Sequence, residues 1–337
     1  MHPTRTTRPR ALFAMGRRHR DALFPAAAIR RLAAHVDIDP DHVAEDLAHE
    51  PALAEVELLI TSWGCPVIDA DVLARAPALK AVVHAAGSVK HHVTQACWDR
   101  GLAVSSAAAA NAVPVAEYTV AAILFANKRV LDIGGLYREH RAPLDWARRF
   151  PGFGNHRRTV GVVGASLVGR KLLELLVPYD LDLLVADPHI DAARAAELGA
   201  RHVELDELIG ASDVVSLHAP ALPETHHLID ARRLSLMRDG ATLINTARGS
   251  LVDTDALVSE AATGRIHAVI DVTEPEVPPA DSPLYTLPNV LLTPHIAGSL
   301  GGELQRISGS AIDEIERYCS GRPFAHAVRP SALATSA

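Results

Sequence analysis

The chain has 337 residues, 48% of them hydrophobic and 22% charged, with a formal net charge of −7. That length accommodates two domains with separate cores, and the acidic balance argues against a nucleic-acid partner, which calls for clustered Lys and Arg. No apolar run is read as long enough to span a bilayer, and Cys65, Cys97 and Cys319 are too few and scattered for a disulfide framework or a zinc site, so a reducing cytoplasm is expected.

Six arginines and no acid lie between Arg5 and Arg20, without the apolar segment or cleavage site of a targeting peptide. The stretch is read as a basic extension entering a strand at 11–15. A helix over 26–34, a strand at 58–61, a helix over 70–76 and a strand at 80–85 then make a small α/β domain. Two turns follow its strands, Ser62-Trp63-Gly64-Cys65 and Ala85-Ala86-Gly87-Ser88-Val89, where ligands of open α/β sheets collect. Gly87, Ser88 and Val89 can offer successive N–H groups to a carboxylate, though a plain turn has the same sequence. Trp63 reads equally as a core aromatic or as the wall of a substrate pocket. A long buried helix is expected over 111–130 with Pro114 in its first turn, then a connecting segment over 131–156 with one helical piece.

The stretch from Thr159 to Asp187 reads strand, glycine turn, helix, strand. It carries Gly164-x-Ser166-x-x-Gly169, close to the dinucleotide fingerprint, in which the turn and helix start, through Ser166, Leu167 and Val168, present amides to a pyrophosphate. Gly164 permits the tight turn, Gly169 lets the helix approach the strand, and Ser166 is a small departure from glycine. Asp187 ends the second strand, where an acid accepts ribose hydroxyls and repels a 2′-phosphate, so NAD is favoured over NADP. Strands at 213–218, 242–246, 267–272 and 290–293 complete a six-stranded doubly wound sheet. Beyond it Leu304, Ile307, Ala311, Ile315 and Tyr318 share one helical face ahead of Gly321, a C-cap candidate. That helix is expected to return to the first domain and make it discontinuous. The expected organisation is a substrate domain over 1–125, a Rossmann-type nucleotide domain over 126–296, the returning helix over 297–328 and a tail over 329–337.

Arg248, Glu276 and His295 stand just past strand ends of the nucleotide domain. Hydride transfer to a 2-oxo acid needs a cation to hold the carboxylate and polarise the carbonyl, plus an acid for the developing alkoxide. A bidentate guanidinium suits the first task. A histidine oriented by a carboxylate suits the second, because that contact fixes its tautomer and favours imidazolium. The adjacent pairs His91, His92 and His226, His227 are read as pointing to opposite faces, so no metal site is expected.

With these motifs in order, the sequence resembles the D-isomer-specific 2-hydroxyacid dehydrogenases. The matching segments are HAAGSV (84–89), NAVPVAE (111–117), VGVVGASLVG (160–169), DVVSLHAP (213–220), LINTARGSLVD (243–253), DVTEPEVPPADSPLYTLPNV (271–290) and LTPHIAG (292–298). The resemblance implies a flavodoxin-like substrate domain and a small 2-oxo or 2-hydroxy acid substrate. It gives Arg248 to the substrate carboxylate and carbonyl, Glu276 to orientation of the histidine, and His295 to proton transfer beside the cofactor. Gly87, Ser88 and Val89 would hold the carboxylate, and Asp271 the nicotinamide carboxamide, while His218, Thr246 and Ala247 join the cofactor set. A homodimer built through the nucleotide domains is implied as well. Leu167 stands where many relatives have an arginine, and Glu276, rather than Glu274, fits the downstream register. Two alternatives share the fold: an NAD(H)-sensing, corepressor-like binding protein, and a dehydrogenase of another small anion such as phosphite.

Overall fold

A computed structural model describes residues 8–333; the first residues of the basic extension, Arg5 among them, and the last of the tail lie outside that range. The chain divides into two compact units. The first runs to Asn111 and resumes at Ser299, and the second is 112–298. The division therefore falls inside a helix, Ala108–Asn127, earlier than the expected 125/126, because Ala116 and Ile123 of that helix belong to the core of the second unit.

In the first unit β1 (Ala11–Ala14), β2 (Val43–Ala44), β3 (Leu58–Thr61), β4 (Ala81–His84) and β5 (Ala103–Ser106) form one sheet in the order β2-β1-β3-β4-β5. Every pairing is parallel. Each residue of β1, β3 and β4 is buried, which is why they read as apolar runs, closed by Thr61 in β3 and His84 in β4, rather than as alternating ones. Separate clusters fill the two faces of the sheet. The helix Leu304–Cys319 lays Ile307, Ala311, Ile312 and Ile315 into the cluster that holds Phe13, Phe24, Leu58 and Ile60. Burying each of these isoleucines stabilises by about 1.5–3 kcal/mol, which fixes the C-terminal segment to the N-terminal sheet. Gly321 follows with φ +70 and its N–H on the carbonyl of Tyr318, the left-handed stop that glycine tolerates. The expected tail includes one short helix, Pro330–Leu333.

The second unit holds β6 (Arg158–Val163), β7 (Leu181–Ala186), β8 (Arg201–His202), β9 (Val214–Leu217), β10 (Thr242–Asn245), β11 (His267–Ile270) and β12 (Val290–Leu292). Their order is β12-β11-β10-β9-β6-β7-β8, again all parallel. The sheet thus has seven strands where six were expected; β8 is a two-residue edge strand, too short to leave a pattern. Strand order reverses between β6 and β9, so the loops after these two strands flank the switch point where doubly wound sheets bind ligands.

Two helical expectations need correction. Ala108–Asn127 starts before Asn111, so Pro114 lies inside the helix, and the helix is long and apolar enough to cross a membrane by length and composition. Its Ala116, Thr119, Ile123 and Asn127 are buried, whereas Phe125 is 55% exposed, so one side and not the whole helix is covered. Arg129 then takes a left-handed conformation, φ +54, and the chain re-enters a helix at Val130–His140, followed by a further turn at Trp146–Arg149.

Candidate active site

The carboxyl ends of the second sheet gather most of the expected site residues: Gly164 after β6, Asp187 after β7, His218 after β9, Thr246 to Arg248 after β10, Asp271 after β11 and His295 after β12. Strand direction alone accounts for this, since all seven strands run the same way.

The glycine turn is built by steric demand. Gly164 has φ +96, and a Cβ on it would stand 2.7 Å from the amide nitrogen of Ala219. On Gly169 a Cβ would stand 2.0 Å from the carbonyl oxygen of Gly164. Ser166 is the N-cap of the helix Leu167–Leu176, its Oγ accepting from Gly169 N at 3.3 Å, so a serine here closes the helix start that a glycine would leave uncapped. The N–H groups of Leu167 and Val168 have no acceptor within the helix by its geometry and face outward from its positive end. Leu167 itself is 55% exposed. Asp187 receives Ala165 N on Oδ2 (2.6 Å) and His189 N on Oδ1 (2.7 Å), which ties the turn to the end of β7 and leaves each oxygen a further lone pair. Across the switch point His218 is fully buried, with Nε2 on Ser216 Oγ (2.8 Å) and Nδ1 without a partner. Burial pushes its pKa down to about 3. A glycine cradle, two free helix amides, an acid at the second strand end and an unsatisfied buried ring nitrogen together fit a dinucleotide.

His295, with φ +54, lies on a segment held by Asp271. Its N–H donates to the Asp271 carbonyl (2.8 Å), while the Asp271 carboxylate accepts from Thr293 Oγ1 (2.6 Å), Ile296 N (2.8 Å) and Ala297 N (2.9 Å). Asp271 is buried, and these charge-assisted bonds keep a left-handed histidine in place. His295 Nδ1 pairs with Glu276 Oε1 at 2.5 Å, so Nε2 is the ring nitrogen left for chemistry. Glu274 pairs elsewhere, with His226 Nε2 at 3.5 Å. The backbone of Arg248 is fixed by Asn245, whose Nδ2 donates to its carbonyl (2.8 Å) and whose Oδ1 accepts from Ala247 N (3.1 Å). Thr246 Oγ1 meets Thr119 Oγ1 at 3.1 Å. Burial lowers the Arg248 pKa, and the nearby Glu276 carboxylate partly offsets this. Gly249 packs so tightly on the next turn that a Cβ would stand 2.0 Å from the carbonyl carbon of Thr273. The Arg248 and Glu276 turns are thereby locked side by side. Sequence reasoning missed Asn245 and Thr293, which hold the Arg248 turn and the Asp271 carboxylate in place.

In the first unit, Gly87 and Ser88 are half-buried, Val89 is buried, and among the described residues their three N–H groups donate to no protein acceptor. Trp63 is 37% exposed and packs against His19 (centroids 5.5 Å), so it is not a core aromatic. One of the two histidine pairs differs from expectation. His91 is exposed and His92 buried, but His226 and His227 stack face to face at 3.9 Å, because they sit in a turn with His227 at φ +50 rather than on a strand.

Residues 120–297 match the profile described as "D-isomer specific 2-hydroxyacid dehydrogenase, NAD binding domain". The D-3-phosphoglycerate dehydrogenase of Mycobacterium tuberculosis is 34% identical over 275 residues, covering 81% of this chain and 51% of that protein. The chain thus spans about half the length of such relatives. Glyoxylate/hydroxypyruvate reductase B of Yersinia pestis is 31% identical over 324 residues, 92% of this chain and 96% of that protein. Among solved structures, D-lactate dehydrogenase from Aquifex aeolicus, complexed with NAD and lactic acid, superposes with TM-score 0.69 at 27% identity, covering 92% of this chain and 95% of that one.

Proposed function

As this chain belongs to the D-isomer-specific 2-hydroxyacid dehydrogenase family, we propose that it is an NAD-dependent oxidoreductase interconverting a small 2-oxo acid and its D-2-hydroxy acid. The observation that carries the reading is the 2.5 Å Glu276–His295 pair on a turn locked against that of Arg248. NAD supplies the hydride acceptor or donor. The residues at the glycine turn, Asp187 and His218 hold it. Arg248 pairs with the substrate carboxylate and polarises the 2-oxo group, which a partly desolvated guanidinium does more strongly than one in water. His295 Nε2 gives a proton to the carbonyl oxygen in reduction and takes it back in oxidation, while Glu276 on Nδ1 fixes the tautomer and stabilises the charged ring. Asp271 acts first by holding the His295 segment; Oδ2 retains a lone pair for the nicotinamide amide. The three free amides of Gly87, Ser88 and Val89 suit a carboxylate.

The test is NADH oxidation by purified protein over a panel containing glyoxylate, hydroxypyruvate, a phosphorylated three-carbon 2-oxo acid, bulkier 2-oxo acids and, in the oxidative direction, phosphite. Turnover of a 2-oxo acid that is lost in Arg248→Ala supports the reading. Tight NADH binding with no 2-oxo acid turned over refutes it in favour of a sensing protein or another anion.

The same reading includes a homodimer through the nucleotide domains. The exposed Phe125, Val130 and Leu131 line an apolar groove with Tyr118, Ala122 and Leu291, and the helix that begins at Val130 also exposes Tyr137 (59%). A second copy would cover this surface. Sedimentation velocity should give a dimer that Phe125→Asp weakens; a monomer at micromolar concentration refutes the assignment.

A further inference from the structure

We propose that His226, His227 and Glu274 form a binding site for a divalent transition-metal ion of the borderline-soft class represented by Zn²⁺. One ring nitrogen of each histidine and one Glu274 carboxylate oxygen lie within 4.8 Å of one another. The His226 Nε2–Glu274 Oε2 pair is at 3.5 Å. Ligands on a tetrahedral zinc with bonds of about 2.0–2.2 Å stand roughly 3.3–3.6 Å apart, so that pair is at ligating separation, and the exposed His227 ring has to turn out of the stack to bring its nitrogen onto the same ion. Two imidazoles and a carboxylate suit Zn²⁺, Co²⁺ and Ni²⁺ better than Mg²⁺ or Ca²⁺, which prefer oxygen shells.

The backbone pre-arranges these groups. Adjacent residues on a strand would diverge. Here His227 is left-handed, its N–H donates to the Ser250 carbonyl (2.7 Å), and Leu228 N and Ile229 N donate to the carbonyls of Thr225 (3.1 Å) and Leu251 (2.9 Å). The stacked rings therefore rest on a turn anchored to the segment after Arg248. Glu274 comes from the neighbouring turn, whose backbone abuts Gly249. A fourth ligand atom is close: Asp253 caps the helix Thr254–Ala262 through Oδ1, which accepts from Ala256 N, and its Oδ2 is 3.9 Å from His227 Nδ1. A bound ion would clip together the segments 226–227 and 274, the latter two residues before Glu276. The site does not depend on the 2-oxo acid reading.

The 337-residue chain stripped with a chelator is titrated with Zn²⁺ by calorimetry and with Co²⁺ by visible absorption. The wild type should show saturable one-to-one binding, with cobalt bands of a nitrogen–oxygen ligand set and no thiolate charge transfer. His226→Ala, His227→Ala and Glu274→Gln should each weaken binding at least tenfold. His49→Ala and His295→Ala, which remove other histidine–carboxylate pairs, should leave it unchanged. Metal-free melting temperatures of the exposed variants should match the wild type, so that lost binding is not lost folding. Wild-type binding that is absent, or that persists undiminished in His226→Ala and His227→Ala, overturns the proposal.

Discussion

Replacing Gly169 with alanine puts the construction of the cofactor turn under direct strain. The new Cβ would stand 2.0 Å from the Gly164 carbonyl oxygen and 3.1 Å from its carbonyl carbon. Non-bonded carbon and oxygen keep about 3.3 Å or more, so helix and turn must separate by roughly 1.3 Å. Both obstructing atoms are backbone, and no side chain can swing aside. Overpacking costs typically about 1–3 kcal/mol, and the upper end applies here. At about 2–4 °C per kcal/mol for a domain of this size, the nucleotide unit should melt about 6–12 °C lower. The shift also moves the Leu167 and Val168 amides, so NADH affinity should fall at least tenfold, about 1.4 kcal/mol. Differential scanning calorimetry and NADH fluorescence titration read the two effects. An unchanged melting temperature with unchanged affinity would refute the steric account of the turn.

Acid should destabilise the protein through three buried histidines. Burial lowers His84 well below its ordinary value, His92 to about 4 and His218 to about 3. All three are neutral when folded, so their contribution is fully present above pH 6.5. It is lost as pH falls toward those values, because the unfolded chain takes up protons first. Each contributes a slope of about 1.4 kcal/mol per pH unit; urea midpoints between pH 7 and 4.5 should drop, less steeply in His218→Gln, and equal slopes would contradict this. Asp271→Asn sets an amide against donors on Thr293, Ile296 and Ala297 and should cost about 1.5–3 kcal/mol by urea denaturation; an unchanged midpoint would mean the carboxylate does not hold the loop. By contrast, Gly309→Ala, mid-helix with nothing within 4 Å of its Cβ, should stabilise by about 0.5–1 kcal/mol, and destabilisation would refute the open packing there.

The parallel strands were legible because their central residues are buried, so Leu58 to Ile60 or Leu183 to Ala186 read as continuous apolar runs. Short edge strands such as β8 leave no such trace. Helix ends were misplaced where an uncommon backbone state decides them: Arg129 at φ +54 stops Ala108–Asn127, and arginine does not advertise a left-handed conformation. The same blindness hid the His226–His227 stack. Strand ends and spacing singled out Arg248, Glu276 and His295 as candidates, but not the residues that hold them, because Asn245 and Thr293 act through main-chain and carboxylate contacts made only in the fold.

The most direct measurement compares NADH affinity and steady-state turnover in wild type and His295→Ala with the best substrate of the panel. If Nε2 of His295 is the proton donor, affinity stays within about twofold while kcat falls by about 10²–10⁴. Parallel loss of binding and turnover, or turnover that survives the substitution, would contradict the proposed chemistry.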